Sequence, residues 1–373
     1  MSSPQPPNGA GLTKEQVLEA VSGVQEPAIG RGLVELRMIP AVEIDGARLN
    51  LTVELLSPIA PYKAAIEREL KEVAGKLPGV ETVEVTFLTR VRASGSGKVD
   101  ADPISGVRNT VAVASGKGGV GKSTVAVNLA VALAQAGAKV GLLDADVYGP
   151  SIPLMMGQRT KPLVRDGKIV PLEAYGVKIM SIGFLLDPEK ALIWRGPLVT
   201  QLITQFLNDV LWEDLDYLVI DLPPGTGDVQ LTLTQKIPLS GAIIVTTPQE
   251  VALADAVKGL KMFQEVKTPI VGIVENMSGF ICPGCGEKTP IFGEGGGLRT
   301  ATEQGVPFLG EVPIEARVRE GGDAGTPVMV AHPESETAKA FEHIAAAVAV
   351  QLARDAANKP RKPMIKLMQA RPR

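Results

Sequence analysis

The sequence predicts an α/β fold with a mainly parallel sheet covered by helices on both faces, preceded by a small α/β domain. Three observations carry this expectation. Apolar strand-like runs alternate with helical stretches from Thr110 to about Arg354, the pattern of a parallel sheet with helical crossovers. A glycine-rich loop ending in Lys122-Ser123 stands between the first of those runs and the first of those helices. A Gly-, Ser- and Asp-rich stretch over residues 91–109 separates this region from an N-terminal unit. At 373 residues the chain is long for one domain, since domains typically hold roughly 100–200 residues.

Composition bounds the function. Apolar residues make up 45% and charged residues 21%, and 38 basic against 41 acidic side chains leave a net charge of −3. This is a soluble globular balance with no general positive field for nucleic acid or anionic lipid. Residues 1–11, MSSPQPPNGAG, lack the basic and apolar stretches of a secretory signal. No run of about 18 apolar residues occurs elsewhere, so the expected location is the cytoplasm, without membrane or nucleic-acid partners. Two cysteines exclude a disulfide scaffold, and His332 and His343 have no ligand-type neighbour at short spacing, which argues against a histidine metal site or a Ser/His/Asp triad.

In chain order, residues 1–11 are expected to be disordered. Residues 12–90 read as the small domain. It has a helix near Leu12 to Ser22, strands Leu33 to Ile44 and Ala47 to Leu56, a helix from Tyr62 to Lys76, and an alternating run Val80 to Leu88. Asp45-Gly46 between the two strands suits a type I′ turn, which needs positive φ at both central residues. Residues 91–109 read as a flexible linker. In the region 110–354, strand runs Val111 to Ala114, Lys139 to Leu143, Tyr217 to Ile220, Ala242 to Val245 and Ile270 to Val274 alternate with helices. The tail 355–373 carries six basic residues and three prolines, and reads as an exposed, solubilising segment. Leu202, Phe206 and Leu211 in the stretch Leu198 to Trp212 read as core, although with Trp194-Arg195-Gly196-Pro197 they would also suit a partner surface. Thr337 to Arg354 reads as a helix covering the sheet, and Met155-Met156 as core filler.

The strongest motif is Gly116-Lys117-Gly118-Gly119-Val120-Gly121-Lys122-Ser123, which satisfies G-x-x-x-x-G-K-[ST], follows a strand run and opens a helix. Its glycines let backbone N–H groups turn inward around phosphates, and the helix N-terminus adds positive dipole. Lys122 would contact the β and γ phosphates and Ser123 would ligate Mg²⁺. The region is therefore expected to be a P-loop NTPase. Two strand ends carry acids that could serve the magnesium and the hydrolysis: Asp144-Ala145-Asp146 after Leu143, and Asp221 after Ile220, followed by Pro223-Pro224-Gly225-Thr226-Gly227-Asp228. Alone, each aspartate would serve equally as a cap or turn residue.

Cys282-Pro283-Gly284-Cys285 lies in a Gly/Pro-bounded loop after the strand carrying Asn276. Two thiolates are half of the four ligands that zinc or a [4Fe-4S] cluster takes. With no other cysteine in the chain, the other half must come from a second copy across a two-fold axis. Residue chemistry alone leaves a bridging cluster and a bridging zinc equally open. A thioredoxin-type redox pair is the weaker third reading, because no helix N-terminus follows to lower a thiol pKa.

Lys117, placed just after the first loop glycine, gives GKGGVGKST, which resembles the deviant Walker A motif of the MinD/ParA/nitrogenase iron-protein superfamily. Within it, ASGKGGVGKST, LLDADVYGPSIP, DYLVIDLPPGTGDVQL, VENMSGF and CPGCG, in this order, resemble the Mrp/ApbC iron-sulfur cluster carrier ATPases over nearly all of residues 108–350. Residues 12–90 resemble the small domain that commonly precedes this ATPase in bacteria. Ala60 stands where stand-alone relatives of that domain often carry a cysteine, so the resemblance supplies no thiolate there.

The resemblance implies a slow Mg-dependent ATPase that binds ATP through Gly116 to Thr124, with Asn276 on the adenine. It implies that Asp144 and Asp221 serve the magnesium shell and that Asp146 orients the attacking water. Lys117 would reach the phosphates of the facing subunit in a homodimer. Cys282 and Cys285 would bind a [4Fe-4S] cluster bridging the two subunits, received from cluster donors and passed to apo iron-sulfur proteins. Two rivals remain: a ParA/MinD-type positioning ATPase, and a non-enzymatic zinc-bridged scaffold that binds nucleotide structurally. Against the MinD type, Pro360, Pro363 and Pro372 interrupt any amphipathic C-terminal membrane helix.

Overall fold

The computed structural model describes residues 12–95, 104–185, 196–282 and 284–358. In the small domain, α1 (Lys14–Ala20) is opened by a capping box between Thr13 and Gln16. Strands β1 (Ala41–Asp45) and β2 (Arg48–Leu55) form a hairpin, helix α2 (Lys63–Ala74) crosses over, and β3 (Thr82–Thr89) runs parallel to β2. Leu49, Leu51 and Val53 on β2 point with Ile66 and Leu70 of α2 into one core, the two periodicities meeting on a shared face.

Two expectations are corrected here. The strand read from Leu33 to Ile44 begins only at Ala41; Leu33, Leu36 and Met38 are buried in turn structure, and Arg37 has φ 54. Asp45 pairs with Arg48, so the hairpin loop is Gly46-Ala47 and not Asp45-Gly46, with positive φ at Gly46 alone. Of the expected linker, residues 96–103 lie outside the described residues; ahead of them Val91 is buried, and Ser94 donates to the Asn109 side chain through both N–H and Oγ at 2.9 Å.

The larger domain is the P-loop α/β fold expected. It comprises β4 (Val107–Ser115), α3 (Lys122–Gln135), β5 (Val140–Asp144), β6 (Leu172–Ala174), β7 (Val177–Ser181), α4 (Gly196–Asp209), β8 (Leu215–Asp221), α5 (Asp228–Lys236), β9 (Gly241–Thr246), α6 (Glu250–Glu265), β10 (Ile270–Ile281), β11 (Lys288–Thr289), α7 (Gly296–Gln304), β12 (Phe308–Ile314), α8 (Ala316–Ala324) and α9 (Glu336–Asn358). The nine-stranded sheet has the order β6-β7-β5-β8-β4-β9-β10-β11, with β12 also on β10. Only β6 and β11 pair antiparallel. Every residue of β5 and β9 is buried. Because side chains alternate faces along a strand, such burial requires cover on both faces of the sheet.

Phe206 is fully buried and Leu202 packs partly buried against the core, while Trp194 and Arg195 fall outside the described residues. Met156 is buried and Met155 half-buried. The covering helix α9 runs through Asn358, past the expected end at Arg354. Its last turns also touch the small domain: Ala353 is part of that domain's core, Arg354 donates to the Ala28 carbonyl, and Arg31 donates to the Ala357 carbonyl at 3.0 Å. The expectations of a disordered N-terminus and of a basic tail from residue 359 onward lie outside the described residues. Among the described residues, no helix is long and apolar enough to cross a membrane.

Candidate nucleotide site and cysteine hairpin

The parallel strands β4, β5 and β8 end side by side, and the register pairs Asp221 with both Asp144 and Val113. Carboxyl ends of parallel strands are where open α/β sheets bind ligands. The loop after β4 wraps into α3 with Gly119 at φ 80 and Gly121, the residue before the helix, at φ 82, conformations in which glycine carries no steric cost. A side chain at Gly116 would collide with the Asp255 backbone of α6, and one at Gly121 with the Asn276 amide.

At the head of α3, Lys122 is buried, its Nζ 2.5 Å from Asp221 Oδ1 and 3.5 Å from Asp146 Oδ2. Ser123 Oγ donates to Asp221 Oδ2 at 2.5 Å. The hydroxyl and carboxylate in contact beside the phosphate loop are the hard oxygen donors a magnesium ion takes. Burial pushes the Asp221 carboxyl up, opposed by Lys122 and Ser123. Asp144 is turned elsewhere: its oxygens accept from Ser181 Oγ at 2.9 Å, Asp146 N–H at 3.2 Å and Ile152 N–H at 3.3 Å. Burial first, and the neighbouring Asp221 second, push its pKa up to about 8. Asp144 thus braces the loop that carries Asp146, while Asp221 faces Ser123. Lys117 is half-buried and, among the described residues, has no ion-pair partner.

Asn276 comes from β10, where its Nδ2 donates to the Val120 carbonyl at 2.8 Å. Beside it opens a cavity of about 450 Å³ whose walls include Gly121, Thr124, Asn276, Met277, Phe292 and Ile314, continuous with the phosphate loop and of a size suited to a nucleoside. Sequence reasoning found Asn276 but missed the preceding Glu275, fully buried, whose carboxylate accepts from Gly295 N–H at 3.1 Å and from Gly297 N–H. The one signal for it is the run Glu294-Gly295-Gly296-Gly297, which presents bare N–H groups at a helix start.

Cys282 and Cys285 sit at the tip of a β-hairpin. Strand β10 pairs Phe280 with Thr289 and Ile281 with Lys288, and the turn closes through Cys282 N–H to Glu287 O at 3.0 Å and Gly286 N–H to Cys282 O at 2.8 Å. Both thiols are free, Cys285 exposed and Cys282 half-buried. Backbone N–H groups of Cys285 and Gly284 hold the Cys282 thiol below the ordinary range, favouring the metal-binding thiolate. Among the described residues, no group of three or more His, Cys, Asp or Glu side chains is placed to hold a metal ion. The hairpin therefore offers two thiolates and no more from one chain. The structure brings Lys122, Ser123, Asp146, Asp221 and Asn276 to one site and sets the cysteines apart from it, on the strand that carries Asn276.

Residues 106–349 match the family described as NUBPL iron-transfer P-loop NTPase, and residues 14–86 match the family described as iron-sulfur cluster assembly protein. The iron-sulfur cluster carrier protein of Synechocystis is 48% identical over 344 residues, covering 91% of this chain and 97% of its own. The carrier protein of the same name from Escherichia coli is 43% identical over 351 residues, covering 91% and 92%. Among solved structures, the nucleotide-binding protein from Archaeoglobus fulgidus in complex with ADP is 44% identical, with a TM-score of 0.57 over 64% of this chain and 93% of its own. The cell division ATPase MinD of Pyrococcus furiosus, 24% identical with a TM-score of 0.50 over 64% of this chain and 98% of its own, shares the fold.

Proposed function

Because the chain belongs to the NUBPL iron-transfer P-loop NTPase family, we propose that it is a slow Mg-dependent ATPase. As a homodimer it would carry an iron-sulfur cluster from cluster donors to apo iron-sulfur proteins. One observation carries this reading: a phosphate loop with its lysine, serine and strand-end aspartate assembled in contact, in a chain that also presents an isolated thiolate pair. Carrier proteins from Synechocystis and Escherichia coli, similar over nine-tenths of the chain, support the cargo.

ATP is bound with its phosphates against the N–H groups of Gly116 to Thr124 and its base beside Asn276. Lys122 leaves Asp221 to contact the β and γ phosphates, and Ser123 and Asp221 hold Mg²⁺. The ion supplies charge neutralisation to the transferring phosphoryl group. Asp146, at the mouth of the site, orients the attacking water, and Asp144 fixes the loop beneath it through Asp146 N–H. Lys117, which has no ion-pair partner among the described residues, reaches the facing subunit's nucleotide, so that hydrolysis requires the closed dimer. The cargo, a [4Fe-4S] cluster, takes two thiolates from each subunit, since one chain has two.

Steady-state phosphate release tests the enzymatic part. Mg-dependent release by the wild-type chain, lost in Lys122→Ala, is the expected result, whereas nucleotide binding without release would favour a structural nucleotide in a zinc-bridged scaffold.

A further inference from the structure

The chain that leaves the small domain is held by both domains before it reaches β4. Arg90 N–H donates to the Leu55 carbonyl at 2.9 Å, Val91 is buried in the core of the larger domain, and the Asn109 side chain donates to the Arg92 carbonyl at 3.0 Å. At this seam opens a cavity of about 600 Å³ whose walls include Arg37, Glu54, Arg90, Arg92 and Arg108. Its volume is that of a small-molecule site. Among the described residues it shares no wall with the nucleoside cavity.

The charges around this cavity do not balance. Arg108 is already paired, with Asp216 at 2.8 Å and Asp214 at 2.7 Å. Glu54 is the one acid among the described wall residues, and it is shared: Arg92 lies 3.3 Å from its Oε1 and Arg90 3.7 Å from its Oε2. Arg37 has no ion-pair partner among the described residues. The positive surplus is local, since the whole chain carries a net charge of −3. It is also held in place. Arg92 donates to the Leu36 carbonyl at 2.8 Å and to the Arg37 carbonyl at 3.3 Å, and the turn it clamps holds Arg37 in the left-handed region at φ 54, a conformation that costs a non-glycine residue free energy. Leu36 and Met38 on either side are buried while Arg37 is exposed, so the turn delivers the Arg37 charge to the cavity wall and not to the core.

We propose that this seam cavity binds a small polyanion, carrying two or more phosphate or carboxylate groups, through Arg37 and Arg90, with Arg92 as the positioning residue. Guanidinium forks match both kinds of oxyanion in a bidentate way. Two cations on separate segments, short of carboxylate partners, select a ligand with more than one anionic group over a single ion. Glu54 opposes the ligand's charge while it holds Arg92. Because the walls come from both domains, a bound anion also ties the small domain to the larger one. This site is independent of the nucleotide-carrier reading, since none of its residues belongs to the phosphate loop or to the cysteine hairpin.

The test titrates the full chain, free of nucleotide and cargo, with citrate and with pyrophosphate in calorimetry at about 0.1 M salt. Binding of at least one of them with Kd below about 1 mM is expected, and the tighter of the two names the ligand as carboxylate or phosphate. Arg37 is exposed and the Arg90 side chain is 74% exposed, so a chain carrying both Arg37→Gln and Arg90→Gln keeps its fold. It is expected to bind the anion at least about tenfold more weakly. Glu54→Gln, which keeps an acceptor for Arg92 and removes the opposing charge, is expected to bind about threefold more tightly. Lys122→Ala controls for an anion on the phosphate loop and is expected to bind as the wild-type chain does. Absence of binding by both anions overturns the proposal, as does unchanged affinity in the double arginine variant or affinity that fails to rise in Glu54→Gln. Binding lost in Lys122→Ala and kept in the double arginine variant places the anion on the phosphate loop, which overturns the seam site and leaves the nucleotide reading standing.

Discussion

Lys122 Nζ lies 2.5 Å from Asp221 Oδ1, although the two residues stand at opposite ends of different elements, the head of α3 and the foot of β8. The ammonium and the strand-end carboxylate form an ion pair inside the protein. Phosphate oxygens and a magnesium ion would replace each as the other's partner. Lys122→Ala is expected to weaken MgATP binding by about tenfold or more, since it removes a charge-assisted contact to the phosphates. It also leaves Asp221 buried without its cation, at a stability cost of up to about 3 kcal/mol, reduced to the extent that the carboxyl takes up a proton. Calorimetric titration and denaturant unfolding check the two effects, and wild-type ATP affinity in this variant would remove Lys122 from the site.

Lys117 has no ion-pair partner among the described residues and is half-buried at the loop's edge. Lys117→Ala is expected to lower steady-state hydrolysis by about a hundredfold, the order of an electrostatic contact made in the transition state, while ATP affinity changes by less than about threefold. Equal losses of affinity and turnover would make Lys117 an ordinary ligand of its own loop.

Asp144 gives a pH dependence with a definite sign. Burial first, and Asp221 second, raise its folded pKa from the ordinary carboxylate range, about 3.9, to about 8. Between those values the native state holds a proton that the unfolded chain has released. Stability of the metal-free protein is therefore expected to fall as pH rises from about 5 to 8, by at most about 1.4 kcal/mol per pH unit from this group. Asp144→Asn should flatten that slope in urea unfolding measured across the range. An identical slope in the variant would assign the dependence to other groups.

The parts of the site that are local in sequence were legible: Gly116 to Ser123 is one loop whose chemistry is written in consecutive residues, and the apolar strands ending at Asp144 and Asp221 are short and continuous. What was not legible depends on partners brought by the sheet. Ser181 reaches Asp144 from β7, and Gly295 and Gly297 reach Glu275 from the next helix start. The cysteine turn was read as a loop because β11 is only the two polar residues Lys288 and Thr289, too short for alternation to show. Leu33 to Met38 has the apolar content of a strand, yet Leu33 and Leu36 are buried in a turn and Met38 just after it. Ala353 reads as part of the covering helix and Ala357 as part of the tail, and nothing in their identity marks the face that meets the small domain.

Those alanine contacts bear on the N-terminal domain. A chain truncated to begin near Val107 is expected to bind ATP and take up cluster normally, because the nucleoside cavity and the thiols come entirely from later residues. Exposure of Ala353 and Ala357, removal of the buried Val91 and Ile104 and loss of the Ser94, Arg31 and Arg354 contacts should lower its stability by roughly 2–4 kcal/mol. Transfer of cluster to at least some acceptors is expected to slow if this domain docks them. Loss of ATP affinity on truncation, with circular dichroism showing the remaining domain folded, would instead make the small domain part of the nucleotide site.

The most direct test of a cluster shared between two chains is anaerobic reconstitution with iron and sulfide, with iron counted per protein and mass read by light scattering on the same sample. Two thiols per chain require a dimer holding about four irons with the absorption of a [4Fe-4S] cluster, and replacement of Cys282 or Cys285 by serine should remove the iron while leaving ATP binding intact. Full iron content on a strictly monomeric chain, or unchanged iron in Cys282→Ser, would contradict it.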